Sequence, residues 1–193
     1  MPKTETFNRS QVLQQATEVF HKKGYNGTSM QDLVDATKLN RSSIYNSFGS
    51  KLNMFLEVLS HYQSIHNHNF SQGIAKSYNA SKAIETIFDL HLQEIVNDQD
   101  HKGCMVINCK SEMTNQEPSI NSFMEKNQDK MIVMLEDIVS NGQMEKIFNQ
   151  KQTANQYALY LFSSIQGFRM TGILNKNKEE LKNLINIILK VLY

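Results

Sequence analysis

Several polar side chains with hydrogen-bonding groups lie within one short stretch of the chain, between positions 41 and 51. An arginine can donate two parallel hydrogen bonds to guanine, and an asparagine can pair in the same way with adenine. Hydroxyl and ammonium groups can bind phosphate oxygens. If Ile44 and Phe48 face a protein core, a helix here would leave the polar side chains toward solvent. The spacing therefore predicts a short DNA-contacting helix with the residues Arg41, Ser42, Tyr45, Asn46 and, just after it, Lys51.

Two short helices, flanked by longer ones, would position these side chains. Ser29 with Asp32, and Thr28 with Gln31, have the spacing of a capping box, which predicts a helix of about two turns from Met30. Asn40 is a good N-cap for a second short helix over 41–47.

Helices this short are not stable alone in water, so they must pack on longer helices, predicted at 9–23 and 50–70. A helix-turn-helix held on a supporting helix places its second helix in the major groove. Lys51, Thr28 and Ser29 lie at helix N-termini, where backbone amides favour phosphate.

The rest of the chain shows the same helical periodicity. Apolar residues recur with a period of 3.6, and alternating strand patterns are missing between the turns at Gly24, Gly49, Gly103 and Gly142. The last two helices are predicted at about 152–174 and 178–193. We therefore expect an all-α protein.

Composition excludes several classes of protein. The chain has 193 residues, a formal net charge of +1, 40% hydrophobic residues and 20% charged residues, which is ordinary for a globular protein. No apolar run approaches the roughly 20 residues that a bilayer requires. The N-terminus lacks the apolar segment of a signal peptide, so we expect a cytoplasmic protein with no membrane partner.

Catalytic and metal-binding motifs are missing from the sequence. It contains no nucleophile elbow, no His-Glu-x-x-His and no phosphate-binding glycine loop. We expect no enzymatic activity, no metal and no cofactor, and an all-helical enzyme remains a remote alternative.

The two cysteines, Cys104 and Cys109, do not have the spacing of a zinc site. Burial as small apolar residues is the simpler interpretation. The alternative is a thiol that senses oxidants or electrophiles, with Lys102 and Lys110 lowering its pKa.

The N-terminal residues resemble the DNA-binding domain of TetR-family transcriptional regulators. The similarity is carried by Ala16, Phe20 and the segment 24–33, followed by 40–51 (NRSSIYNSFGSK), and it covers roughly residues 6–66. Two positions differ: Ser42 stands where the family often has Gly, and Ser47 stands where many members have His.

The resemblance implies a helix-turn-helix domain over 6–66, with its motif at 29–48, followed by a helical effector-binding and dimerisation domain over 70–193. It implies that Tyr45 and Lys51 contact phosphate and that Arg41 to Asn46, including Ser43, form the surface that reads the bases. It also favours a repressor that binds a double-stranded operator and is released by a small-molecule effector.

A homodimer is expected because one short helix reaches only a few base pairs, so specific affinity usually needs two half-sites. Apolar residues of the last two helices are the candidates for its interface: Leu159, Phe162, Ile165, Phe168, Leu184, Ile188 and Val191. Candidates for an apolar effector pocket are Phe88, His91, Met113, Phe123, Met124, Met131 and Tyr160.

Overall fold

The structure is a computed structural model that describes residues 7–193, so residue 6, the first of the expected DNA-binding domain, lies outside it. The described residues contain helices and no β-strand, which confirms the predicted all-α class. The helices are α1 (Arg9–Lys23), α2 (Met30–Thr37), α3 (Arg41–Phe48), α4 (Lys51–Ala75), α5 (Ala80–Asn97), α6 (Met105–Met113), α7 (Pro118–Met144), α8 (Ala154–Leu174) and α9 (Lys178–Leu189), with a final 3₁₀ turn at Lys190–Leu192.

The helices group into two compact units. One unit runs to Asn67 and adds Asn108–Phe123, and the other consists of His68–Ile107 and Met124–Tyr193. The sequence suggested two contiguous segments, 6–66 and 70–193. The structure differs in that residues 108–123 group with the N-terminal helices.

The first unit is organised around the short helices α2 and α3. Leu33 of α2 and Ile44 of α3 are fully buried. Phe20 of α1 and Phe55 of α4 pack with ring centroids 4.8 Å apart. Burial of these apolar side chains supplies the stability that two eight-residue helices lack alone.

Side-chain caps fix where the short helices begin. Asn40 Oδ1 accepts a hydrogen bond from the backbone N–H of Ser43 at 2.8 Å, as the sequence predicts. Ser29 and Asp32 form a complete capping box at the start of α2. Gly49, with φ of 78°, allows the chain to leave α3 and enter α4 directly.

The second unit has its own apolar core, contributed mainly by α5, α8 and α9. Phe88 of α5 and Phe168 of α8 are both buried, with ring centroids 6.1 Å apart. Gly172 is required at its position because a Cβ there would come within 2.5 Å of the Ile95 side chain. Within residues 7–193, no helix has both the length and the apolar character needed to span a bilayer.

Asp98 holds together the connection from α5 to α6. Its carboxylate accepts the backbone N–H groups of Lys102 at 3.0 Å and Gly103 at 2.8 Å, and it pairs with Lys176 Nζ at 3.3 Å. Burial acts to raise the pKa of Asp98, but these hydrogen bonds and the Lys176 charge outweigh it and lower the pKa below its usual value.

We expect Asp98→Ala to lower the free energy of unfolding by about 1–3 kcal/mol at neutral pH. Because the pKa is lower in the folded state, the stabilisation is present above the unfolded pKa of about 3.9 and disappears as the pH falls through the folded value. Urea unfolding followed by circular dichroism, at neutral pH and at about pH 3, measures the difference.

The control is Asp100→Ala, because Asp100 lies in the same connection but its side chain is 72% exposed. Exposed ion pairs contribute little to stability, so this variant should unfold like the wild type. Equal losses for both variants would contradict the role assigned to Asp98.

Candidate nucleic-acid interface

The outer side of α3 presents four polar residues to solvent. Arg41, Ser42, Tyr45 and Asn46 are exposed, Ser43 is half-buried, and Ile44 and Phe48 face the core at 0% and 4% exposure. The Arg41 guanidinium carbon lies 5.9 Å from the centroid of the Tyr45 ring, one helical turn away. The sequence-based assignment of the two faces of α3 therefore agrees with the exposure in the structure.

Arg9 ties α3 to both neighbouring long helices. From α1, its guanidinium donates to Glu57 of α4 at 2.7 Å and to the backbone oxygen of Ser47 at 3.3 Å. It also lies 4.4 Å from the centroid of the Phe48 ring. Because the side chains of the ion pair are 34% and 39% exposed, the pair adds little stability. The contacts of Arg9 with Ser47, Phe48 and Glu57 instead fix the direction of α3 relative to α1 and α4.

Lys51, at the first turn of α4, is directed toward the loop between α1 and α2. Its ammonium donates to the backbone oxygens of Tyr25 at 2.9 Å and Thr28 at 2.8 Å. It also lies 4.2 Å from the centroid of the Tyr25 ring. The phosphate contact expected of Lys51 remains a prediction, and the structure adds a second role in holding this loop.

The Thr28 side chain is covered, and the phosphate contact expected of this helix N-terminus remains a prediction. Thr28 is 1% exposed, and its hydroxyl donates to the backbone oxygen of Gly24 at 2.6 Å. A threonine at this position satisfies a carbonyl at the end of α1, and the sequence pattern of a cap does not reveal that the side chain is covered.

Ser29 is exposed, and its phosphate contact remains a prediction. Its hydroxyl donates to Asp32 Oδ2 at 2.8 Å and accepts the backbone N–H of Asp32 at 3.1 Å. The hydrogen bond from Lys23, together with those from Ser29, lowers the pKa of Asp32 to about 2. A carboxylate therefore already occupies the N-terminus of α2.

The loop between α1 and α2 is also held by Glu112 near the end of α6. Glu112 Oε2 accepts the backbone N–H of Tyr25 at 3.0 Å, and Glu112 Oε1 accepts that of Asn26 at 2.7 Å. Burial and the charge of Glu117 raise the pKa of the Tyr25 hydroxyl. Sequence reasoning missed Glu112, because nothing in a local pattern links residues 87 positions apart.

The candidate pocket residues are divided between the two units. Met113 and Phe123 belong to the first unit and the other five to the second. Phe88 is fully buried and His91 is 4% exposed. Tyr160 is 39% exposed and its hydroxyl donates to the backbone oxygen of Ile188 at 3.2 Å, and its role in a pocket remains a prediction.

His91 is part of a polar cluster inside the second unit. Arg169 Nη1 hydrogen-bonds with His91 Nδ1 and donates to Glu94 Oε2 at 2.6 Å. The His91 ring packs on Phe70 with centroids 4.7 Å apart. This cluster gives the buried histidine specific partners within the same unit.

The expected dimer residues divide into two sets. Ile165, Phe168 and Ile188 are 2%, 2% and 8% exposed, so their assignment to an interface is wrong: they lie in the core of their own unit. Phe162 and Leu184 are half-buried against the same core, whereas Leu159 and Val191 are 51% and 41% exposed. Helical periodicity identified apolar residues but not which side of α8 faces the core.

The two cysteines have different surroundings. Cys104 is half-buried, and Cys109 is 2% exposed. Burial, with a smaller effect from the charge of Glu112, raises the pKa of the Cys109 thiol to about 12. A thiol with so high a pKa holds almost no thiolate at neutral pH, so the structure disfavours Cys109 as a sensor.

Comparison with known proteins gives concordant results. Residues 12–58 match the family model described as bacterial regulatory proteins, tetR family. The uncharacterized HTH-type transcriptional regulator YezE of Bacillus subtilis is 25% identical, with all of both chains covered. The HTH-type transcriptional repressor DhaR of Mycobacterium sp. strain GP1 is 21% identical, with 95% of this chain and 91% of DhaR covered.

Among solved structures, a cysteine mutant of the TetR-family regulator CifR, in complex with 26-bp double-strand operator DNA, superposes with a TM-score of 0.86. The two are 20% identical, and the match covers 99% of this chain and 100% of that one. At this identity the likeness establishes the fold: an N-terminal helix-turn-helix followed by a helical domain.

The surroundings of Cys109 predict a slow thiol reaction. In a Cys104→Ser variant, which retains only Cys109, labelling by a thiol reagent at about pH 8 should be about a hundredfold slower in the native protein than in urea. The matched variant Cys109→Ser retains the half-buried Cys104 and should react faster. Equally fast native labelling of both variants would contradict the burial of Cys109.

Proposed function

Since the chain belongs to the TetR family of bacterial regulatory proteins and is a DNA-binding transcriptional regulator, we propose that it is a homodimeric repressor that a small-molecule effector releases from its operator. In this proposal α3 enters the major groove of the operator.

The observation that carries the proposal is the exposed polar face of α3. Arg41 and Asn46 are the side chains suited to guanine and adenine edges, respectively. Ser42 and the half-buried Ser43 can donate to bases or phosphates from the same turn. Because Ile44 and Phe48 are buried behind them, the helix is held with this face outward.

Contacts with phosphate would set the position of α3 in the groove. We assign them to Tyr45, Lys51 and Ser29, which are exposed or half-buried at helix termini or on the outer face of α3. Such contacts contribute affinity on any sequence and make it fall as the salt concentration rises.

A second copy of the chain is the partner that the α8 surface fits best. Leu159, Met170 and Leu174 are exposed on α8 at 51%, 48% and 89%. Their spacing, with Gly167 between them, puts them along one side of the helix. A Cβ on Gly167 would meet nothing within 4 Å, so another helix can approach closely there.

α9 and the 3₁₀ turn that follows it carry exposed apolar residues as well. Ile187 and Val191 are 67% and 41% exposed, one helical turn apart. Two copies related by a two-fold axis would cover both helices and present two α3 helices to a palindromic operator.

Release by an effector requires a difference in affinity. A small molecule can shift the regulator away from DNA only if it binds more tightly to a conformation that fits the operator poorly. We assign the effector to the second unit, where Phe88, His91, Met124 and Met131 are buried or half-buried. The Arg169 and Glu94 partners of His91 would give such a site polar specificity.

Operator binding is tested with duplex DNA taken from upstream of the protein's own reading frame. The wild type should bind a specific duplex, with affinity that falls as salt rises. Arg41→Ala and Asn46→Ala should each weaken binding by about 1–3 kcal/mol and relax base preference, because each removes a base contact. Fluorescence anisotropy over a set of single-base variants of the duplex measures both effects.

The charge-matched control for Arg41→Ala is Lys22→Ala, because Lys22 is an exposed basic residue on α1. Loss of the Lys22 charge should weaken binding to all duplexes by the same factor. If Arg41→Ala and Lys22→Ala had the same effect on every base variant, α3 would not be the recognition helix.

The dimer surface is tested with Ile187→Glu. Because the Ile187 side chain is 67% exposed, the substitution should leave the fold of a single chain intact. In a dimer that covers this side chain, it would bury a charge. We expect sedimentation velocity to give a monomer and specific DNA binding to be lost. The control Ile65→Glu makes the same change at another exposed isoleucine, 53% exposed on α4, and should remain dimeric. A dimeric Ile187→Glu protein would rule out this surface.

A further inference from the structure

We infer that Glu112 is a positioning residue for operator binding: through two backbone N–H groups, it holds the loop between α1 and α2 in the place that α2 and α3 need to fit DNA. The inference rests on the proposed function and adds a residue that is remote in sequence from the helix-turn-helix.

The hydrogen bonds of Glu112 satisfy donors at a helix end. Its two carboxylate oxygens accept the N–H groups of Tyr25 at 3.0 Å and Asn26 at 2.7 Å, just after α1 ends. The Asn26 side chain adds a third link, from Nδ2 to Met113 Sδ at 3.7 Å. Hydrogen bonds to an ionised group are stronger than those between neutral groups, so a carboxylate holds the loop firmly.

Glu112 occupies a position that local electrostatics disfavours. It lies one residue before the end of α6, where the partial negative charge of the helix terminus repels a carboxylate. Nothing in the helix itself calls for an acid there. The two N–H groups of the loop supply the compensating interaction.

Gly24 leaves the space that the carboxylate fills. A Cβ at this position would lie 2.7 Å from Glu112 Oε2, and the φ of Gly24 is +71°, a conformation that favours glycine. A side chain at position 24 would therefore collide with the Glu112 carboxylate, and glycine both avoids this clash and allows the loop conformation.

Lys51 holds the same loop through its carbonyls. Its ammonium donates to the backbone oxygens of Tyr25 and Thr28. Glu112 therefore binds the N–H groups of the loop, and Lys51 binds its carbonyl groups. Thr28 immediately precedes Ser29, the N-cap of α2. A shift of the loop is therefore transmitted along the backbone to α2 and to the turn that leads into α3.

The experiment compares Glu112→Ala, Glu112→Gln and the control Glu125→Ala in the full chain. Glu125 is an exposed glutamate on α7, so E125A makes the same change of charge. The probes are the duplex that the wild type binds specifically and an unrelated duplex of equal length. Removing an acid should by itself favour DNA binding, so a loss of affinity in E112A cannot come from net charge.

We expect E112A to bind the specific duplex about tenfold more weakly than E125A does, because two charge-assisted hydrogen bonds are lost. E112Q keeps one acceptor oxygen, so its affinity for the specific duplex should be about threefold lower than that of E125A. Affinity for the unrelated duplex and its salt dependence should match those of E125A, since phosphate contacts do not require the exact orientation of α3.

Amide hydrogen exchange, followed by NMR, measures directly how firmly the N–H groups of the loop are held. The Tyr25 and Asn26 amides should exchange faster in E112A and E112Q than in E125A, while core amides such as that of Ile44 should be unchanged. A general loss of stability would accelerate all of them together.

E112Q affinity equal to that of E125A would overturn the inference, and so would unchanged exchange at Tyr25 and Asn26. E112Q decides the matter if E112A does not fold. If the wild type binds no duplex specifically, the proposed function fails, and amide exchange alone then supports or overturns the holding of the loop by Glu112.

Discussion

The structure of the first unit depends on one constraint: α2 and α3 are too short to be stable by themselves. Each has eight residues, and helices of that length do not persist in water. Their geometry is therefore imposed from outside, by burial of Leu33, Ile44 and Phe48 among the side chains of longer helices. A helix supported in this way, as α3 is, can present a polar outer face, because none of its stability has to come from that face.

Apolar burial fixes which side of α3 faces inward, but it is not directional enough to fix the angle of the helix. Polar contacts with defined geometry add that information. Arg9 bonds to the end of α3 and to Glu57 of α4, and Lys51 bonds to the loop before α2. The Arg9–Glu57 ion pair is partly exposed and adds little to the free energy of unfolding. What these contacts provide is orientation, which the proposed base recognition would require at the scale of a single hydrogen bond.

The sequence was most informative where structure is determined locally. The caps at Ser29 and Asn40, the turn at Gly24 and the inward side of α3 follow from short-range patterns, and the structure agrees with them. It was least informative where the outcome depends on distant partners. The covered side chain of Thr28 and the link from Glu112 to the loop arise from packing between segments. No window of a few residues contains that information.

α8 shows why apolar periodicity alone cannot separate a core from an interface. The helix has apolar residues on two sides: Ile165 and Phe168 face the core, while Leu159 and Met170 are exposed. Both sets have helical spacing, so the sequence pattern is the same for a helix inside a monomer and for one between two chains. Only exposure in the folded chain distinguishes them. A helix that is apolar on both sides is costly for an isolated chain in water, and the proposed pairing with a second copy would remove that cost.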